Sequence, residues 1–438
     1  MNVGAAPRIL RPLPWWTGPT GLSLGLLLPL LFLIACAGNA NFPGLTIRGI
    51  PFLSTGYVVL GGAALLAIGL GGWIGSQIAW PGGQGANAGA YRWDRAAALV
   101  GGVALVAYLV FFKDFVLSPV LLLKTLTGAY RPDRTNLELT VGVTSLENFA
   151  PVFFSLYASR TLYQGARVRA ALHVLCAVLL FLTALRVYAW SERLALIEAA
   201  VPFGLCAAAR LAAGGRLARG AIRVGPFLAL PAFVLYFGAA EYVRSWTSAT
   251  YHGRSGFWEF AIGRLASYYY TSLNNGAGLL ATAHWPSFHF EYTLWWLHKL
   301  PLLGRVFSSY VGLQVEQTGL FLHKYGDPEF NNPSGIYSVI FDIGLPLGIA
   351  YFGLQGALGG MLFRAFRAGS CIGALGYPLL YLSMLEIFRY PYLGAPRGFT
   401  WATGIAVAIL AGRRWGSRAG VHSISANSAA GALAGEHA

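Results

Sequence analysis

Charge is scarce in this chain. Only 11% of its 438 residues are charged, against about 25% in a soluble domain, which excludes an ordinary solvent-facing globule. Cysteine is scarce as well. Cys36, Cys176, Cys206 and Cys371 lie in or beside apolar segments, and their spacing builds neither a disulfide framework nor a metal site. Acids are outnumbered by bases, 16 to 31. The motifs of familiar soluble enzymes are missing too. There is no G-x-x-x-x-G-K-[ST] loop to cradle a nucleotide phosphate, no G-x-S-x-G elbow and no H-E-x-x-H pair. An ATP-driven transporter and a zinc hydrolase are therefore disfavoured, and neither a metal nor an organic cofactor is expected.

What is present is apolar. Hydrophobic residues make up 56% of the chain, and the mean hydropathy of +0.57 fits a polytopic membrane protein. The 56 glycines suit close helix–helix approach in lipid. A net charge of +15 would suggest nucleic acid in a soluble protein. Here the bases sit in inter-span loops and tails, so membrane topology and anionic lipid account for them. No nucleic-acid partner is expected.

Apolar windows of about 20 residues mark membrane spans. Ten are read, near 20–37, 56–79, 96–112, 143–159, 170–187, 194–212, 224–240, 335–363, 371–388 and 398–412. The fold class is thus all-α and polytopic, with about ten transmembrane helices. Arg8/Arg11, Arg92/Arg95, Arg160/Arg167/Arg169, Arg216/Arg219/Arg223, Arg364/Arg367 and Arg413/Arg414/Arg418 all fall on one side if these spans alternate. The positive-inside rule puts that side, and both termini, in the cytoplasm. The first apolar run ends in Leu33-Ile34-Ala35-Cys36, which has the look of a lipobox, but it is read as a first transmembrane helix. Residues 115–123 are short, apolar and Pro-bearing, and leave a re-entrant segment open.

This pattern divides the chain into an N-terminal bundle of about seven spans (1–240), a large outer loop (241–332), a C-terminal bundle of about three spans (333–418) and a disordered tail (419–438). A connection as long as the outer loop is usually functional or carries its own structure. Its pieces 257–281 and 292–303 are rich in Trp, Tyr, Phe and Leu, and read as helices lying in the membrane interface or dipping into it.

The candidate site residues lie on that outer face. Arg193 opens a span, Arg264 sits among aromatics in FWEFAIGRLASYYY, and Arg254 shares its loop. The planar guanidinium fork suits phosphate, and a partly dry setting strengthens the contact. Snorkelling to lipid headgroups is the alternative reading for Arg193 and, less readily, for Arg264. Asp327 and Glu329 precede the late span and could serve as general base or as solvated loop carboxylates. Asn332-Pro333 reads as an N-cap and first helical residue, aiming a helix N-terminus outward where it favours an anion. Asp342 then falls about 15 Å into that helix. An acid there is either functional or a hydrogen-bonding tie to a neighbouring helix. Glu147, Asn148 and Glu198 carry the same ambiguity.

At these residues the chain resembles the Wzy-type O-antigen and oligosaccharide repeat-unit polymerases, and more distantly the O-antigen ligases. Three pieces carry the resemblance: Ser191-Glu192-Arg193 opening a span, Gly263-Arg264 with following aromatics and then Leu300-Pro301-Leu302-Leu303-Gly304, and Asn331-Asn332 leading to Phe341-Asp342-Ile343-Gly344. Ligases usually carry a His where Asn331 or Asn332 stands, which favours the polymerase. The resemblance implies a metal-independent glycosyltransferase in the bacterial inner membrane, with the architecture of lipid-linked-sugar (GT-C-like) enzymes. Its implied substrates are undecaprenyl-diphosphate-linked oligosaccharides, as donor and as acceptor, and a chain-length regulator protein is a further implied partner. Arg193, Arg264 and Arg254 would hold the diphosphate, while Glu329, Asp327, Asn332 and Asp342 would serve the acceptor. A lipid or sugar flippase, with Asp342, Glu147 and Glu198 as an ion path, is the reading from another class. It lacks the internal repeat that many transporters show.

Overall fold

The computed structural model describes residues 13–39, 50–80, 91–130, 140, 142–190, 192, 194–242, 246, 256–313, 317–326 and 330–413. It is helical, with no β-strand among the described residues. A π-helical stretch, Gly21–Leu27, runs into α1 (Leu28–Asn39), followed by α2 (Thr55–Gln77) and α3 (Trp93–Phe111). Two short helices come next, α4 (Lys113–Leu117) and α5 (Pro119–Leu126). A 3-10 segment, Thr144–Phe149, feeds α6 (Ala150–Ala158), which closes in a π-helical turn. Then come α7 (Ala170–Trp190), α8 (Leu194–Ala212), α9 (Arg216–Arg223) and α10 (Gly225–Glu241). The large connection holds α11 (Phe257–Thr282), α12 (Trp295–His298), α13 (Leu303–Tyr310) and α14 (Gln317–Tyr325). Four helices complete the described chain: α15 (Tyr337–Ile343), α16 (Leu345–Arg367), α17 (Cys371–Leu385) and α18 (Pro396–Gly412).

Among the described residues six helices are long and apolar enough to cross a membrane, consistent with a polytopic membrane protein. They are the Gly21–Gly38 run, α2, α3, α7, α8 and α16. The windows expected at 143–159, 224–240, 371–388 and 398–412 contain helices too, but shorter ones. At 17 residues α10 and α18 reach about 25 Å. Each of these helices carries a proline: Pro151 lies in the first turn of α6, Pro231 and Pro378 sit inside α10 and α17, and Pro396 opens α18. α9 and α10 pass as a span only together, and they are bent by 59°.

The single helix expected over 335–363 is broken. Gly344 stands at φ 82° and ψ 169°, a conformation essentially reserved for glycine, and Pro346 begins the new helix behind it. The described core has two clusters. One gathers α1, α2, α11, α15 and α16, the other α3, α6, α7 and α18, and α8 and α17 contribute to both. In the first, α2 and α16 approach backbone to backbone. A β-carbon on Gly71 would stand 2.1 Å from the Gly353 carbonyl oxygen, and one on Gly356 2.1 Å from that of Ile68. Gly71/Gly75 and Gly356/Gly360 keep the small-residue spacing that permits this approach.

α11, expected to lie in the interface or dip into it over 257–281, is embedded in protein along part of its length. Residues 272–280 are all buried in protein. Asn274 explains part of this: its side-chain oxygen accepts from the Phe52 and Leu53 backbone N–H groups, and its amide donates to the Ile50 carbonyl. These bonds tie α11 to the segment leading into α2.

Candidate functional site

The charged groups of the core converge at one end of the bundle. Arg186, near the end of α7, pairs with Glu147 of the 3-10 segment at 2.8 Å and with Glu192 between α7 and α8. Arg397, in the first turn of α18, pairs with Glu198 of α8 at 3.2 Å and donates to the Asn148 side-chain oxygen at 3.1 Å. Glu386, just past α17, pairs with Arg389, which also donates to the Tyr268 hydroxyl. Arg186, Glu147, Glu198 and Glu386 are buried. Removing such charges from water costs several kcal/mol per ion, so they occur as partners.

Beside this lattice lies Arg264 of α11. It is buried, and its Nε stands 3.2 Å from Glu241 at the end of α10. The Arg264 guanidinium lies over the Phe330 ring at 4.7 Å, Phe330 meets Tyr268 edge-on at 5.9 Å, and Arg389 lies over Tyr268 at 4.2 Å. Arg264 and Arg389 thus bracket one aromatic pair. The expectation that Arg264 is partly dry and ringed by aromatics holds here. Its carboxylate partner Glu241 was not foreseen.

Asp342 occupies a different place from the one expected. It lies near the end of α15, two residues before the Gly344 break, not in the interior of a long helix. One carboxylate oxygen accepts from the Glu291 N–H at 3.0 Å. The other accepts from the Tyr292 and Thr293 N–H groups, both at 2.7 Å, and from the Thr293 hydroxyl at 3.0 Å. Three successive backbone N–H groups thus form a nest around this anion. Asp342 precedes the Leu345–Arg367 span, and burial raises its carboxyl to about 6 even though the four hydrogen bonds act to lower it.

The clamp holds an unusual segment. Phe288 and Phe290 both have positive φ, at 51° and 56°, which costs energy for residues with a β-carbon. Two further bonds, from the Ser287 and Phe288 N–H groups to the Phe341 and Asp342 carbonyls, fix its start. Its far end abuts the turn between α17 and α18, where a β-carbon on Gly394 would stand 1.8 Å from the Tyr292 carbonyl oxygen. Trp296 stacks on Phe399 of α18 at 4.8 Å.

Asn332 requires a correction. It caps no helix, because α15 starts at Tyr337 with Ile336 as its cap residue. The chain instead stays irregular, held by Asn275 of α11, whose amide donates to the Phe330 and Asn332 carbonyls at 2.8 and 3.2 Å. Ser334 takes a φ of 66°, and the Gly335 N–H donates to the Ile387 carbonyl. That path redirects the backbone before a helix can begin.

Of the expected site residues, Arg264, Asn332 and Asp342 are therefore placed, while Arg193, Arg254, Asp327 and Glu329 lie outside the described residues. Arg264 and Asn332 share one neighbourhood, through Phe330 and Asn275. Asp342 belongs to the clamp on residues 287–293. Sequence reasoning missed Arg186, Arg389, Arg397 and Glu386. Arg186 was findable, since it lies within an apolar window, the same signal that singled out Asp342. Arg389 and Arg397 bound a short turn, with nothing local to mark them as partners of buried acids. No family model, no curated protein and no solved structure matches this chain.

Proposed function

We propose that this protein is a glycosyltransferase of the bacterial inner membrane that polymerises undecaprenyl-diphosphate-linked oligosaccharide repeats, with about ten spans and its arginine–glutamate end facing the periplasm. The observation that carries this reading is the pair of guanidiniums, Arg264 and Arg389, bracketing Phe330 and Tyr268. The acceptor hydroxyl attacks the anomeric carbon of the donor sugar, the bond from that carbon to the diphosphate oxygen breaks, and the electron pair leaves with the lipid diphosphate. Negative charge grows on the leaving group, where preorganised cations help most. Arg264 and Arg389 supply them, joined by Arg193 and Arg254. The hydroxyl proton goes to a carboxylate. Glu329 and Asp327, one and three residues before Phe330 in sequence, are assigned that role. Asp342 is assigned to positioning, because both its oxygens already accept hydrogen bonds. Asn332 contributes its backbone to the floor of the site.

The test is the surface polysaccharide of a strain lacking the protein. Loss of long chains with a single repeat retained supports a polymerase. Long chains stranded on the carrier lipid would instead mean a ligase, and unextended repeats confined to the cytoplasmic leaflet would mean a flippase.

A further inference from the structure

The opposite end of the bundle has its own concavity. Helices α8 and α16 run from the arginine–glutamate end to this one, finishing at Ala212 and Arg367. A cavity of about 380 Å³ opens here, lined by Trp15, Pro19, Thr20, Ser76, Phe363 and Arg367 among others. The Arg367 guanidinium lies over the Phe363 ring at 5.7 Å. Arg364, one turn away, donates to the Gln77 carbonyl at 2.7 Å, which ties α16 to the end of α2 and fixes the rim.

Helix α9 is docked beside this cavity. The Trp15 indole N–H donates to the Arg223 carbonyl at 3.0 Å, and that of Trp16 to the Ile222 carbonyl at 2.8 Å. No residue of α9 is buried, and its 59° bend from α10 turns it away from the line of that helix. Arg216, Arg219 and Arg223 are exposed and share one face by their spacing, with Leu217, 91% exposed, on another. Like charges on one helix face repel. α9 itself contains no carboxylate to offset them.

We propose that this cavity and α9 together bind the headgroup of an anionic phospholipid. The phosphate sits against Arg367 within reach of the α9 arginines, and the apolar wall of Phe363, Pro19 and Trp15 takes the start of the acyl chains. Charge alone would suit free phosphate. The combination of a cation with an apolar wall in one cavity fits an amphiphile, and an exposed basic helix bearing an apolar face is the surface that anionic leaflets attract.

The experiment uses the full chain in nanodiscs of phosphatidylcholine mixed with phosphatidylglycerol, with retained lipid counted by native mass spectrometry after detergent release. The wild type retains phosphatidylglycerol over phosphatidylcholine. R216Q/R219Q/R223Q lowers that preference by roughly ten-fold or more, given about five-fold per arginine at a surface. R367Q lowers it separately, while R367K restores most of it. Equal retention of the two lipids by the wild type overturns the site. So does an undiminished preference in both Gln variants. Displacement of the lipid by millimolar inorganic phosphate would show a free-anion site and overturn the lipid assignment. Wild-type elution and melting of the R367Q and R216Q/R219Q/R223Q proteins separate a lost site from a lost fold.

Discussion

At one end of the bundle Arg186 and Arg264 are buried, Arg389 is nearly so, Arg397 is partly exposed, and each has a glutamate within 3.2 Å. At the other end Arg216, Arg219 and Arg223 stand exposed on a helix that bears no acid. The residue type is the same and the physics is opposite. A buried guanidinium must be neutralised where it stands, so its partner is fixed by the fold and the pair becomes part of the core. An exposed one is neutralised by water and lipid headgroups, so it constrains topology and leaves packing alone.

The largest expected effect comes from breaking one buried pair. Glu147→Leu removes the more buried of the two glutamates that pair with Arg186, and with Glu192 still in place the loss should approach, without reaching, the roughly 3–5 kcal/mol of a fully stranded buried charge. Thermal unfolding of the purified protein should show this, with a double variant E147L/R186L recovering part of the loss. Arg219→Gln at the other end should shift stability by less than about 0.5 kcal/mol. Similar losses for both variants would erase the contrast between the ends.

Asp342→Asn comes next. An amide keeps the shape, but it replaces one acceptor with a donor facing N–H groups. Hydrogen bonds to a charged group are worth about 1.5–3 kcal/mol each, so a loss of about 2 kcal/mol is expected, with residues 287–293 loosened. Hydrogen exchange at Tyr292 and Thr293 should rise. Wild-type protection there would mean that Asp342 does not hold this segment.

Arg264→Lys tests whether its burial is structural or functional. Lysine keeps the charge opposite Glu241 and costs about 1 kcal/mol or less if that pair is all that matters. It loses the planar fork, so a phosphate role predicts a drop in chain extension of ten-fold or more with the fold intact. Chain lengths equal to wild type in R264K at matched protein level would leave Arg264 as packing.

The contrast between the ends also shows what the sequence could convey. Composition and the long apolar windows carried the membrane class, because both depend on local content. The Gly344 break was hidden inside an apolar window, since hydropathy does not register the backbone hydrogen bonds that Gly344 and Pro346 interrupt. The arginine–glutamate pairs were hidden for another reason. Arg397 and Glu198 are far apart in the chain, and only the packing of α8 and α18 onto α6 and α17 brings them together. The glycine spacing on α2 and α16 was visible, but nothing in either helix alone says that the two are partners.

Asn332 is where the expected effect is smallest and the reading most changed. As an N-cap its loss to alanine would cost about 1 kcal/mol. In the structure α15 begins at Tyr337, and Asn332 offers its carbonyl, not its side chain, to Asn275. Asn332→Ala keeps that carbonyl. Its effect on stability should therefore stay below about 0.5 kcal/mol. Asn275→Ala removes the donor for two carbonyls, one of them beside the ring that Arg264 covers, and should cost about 1–3 kcal/mol. Equilibrium unfolding of the two variants ranks them directly, and a larger loss for N332A would restore the cap. Chain-length analysis gives the second measurement. If N332A keeps its stability yet shortens the product, the Asn332 side chain touches substrate. If product length is also unchanged, the floor of the site is built from the backbone that Asn275 holds, and recognition rests on the arginines and rings around Phe330.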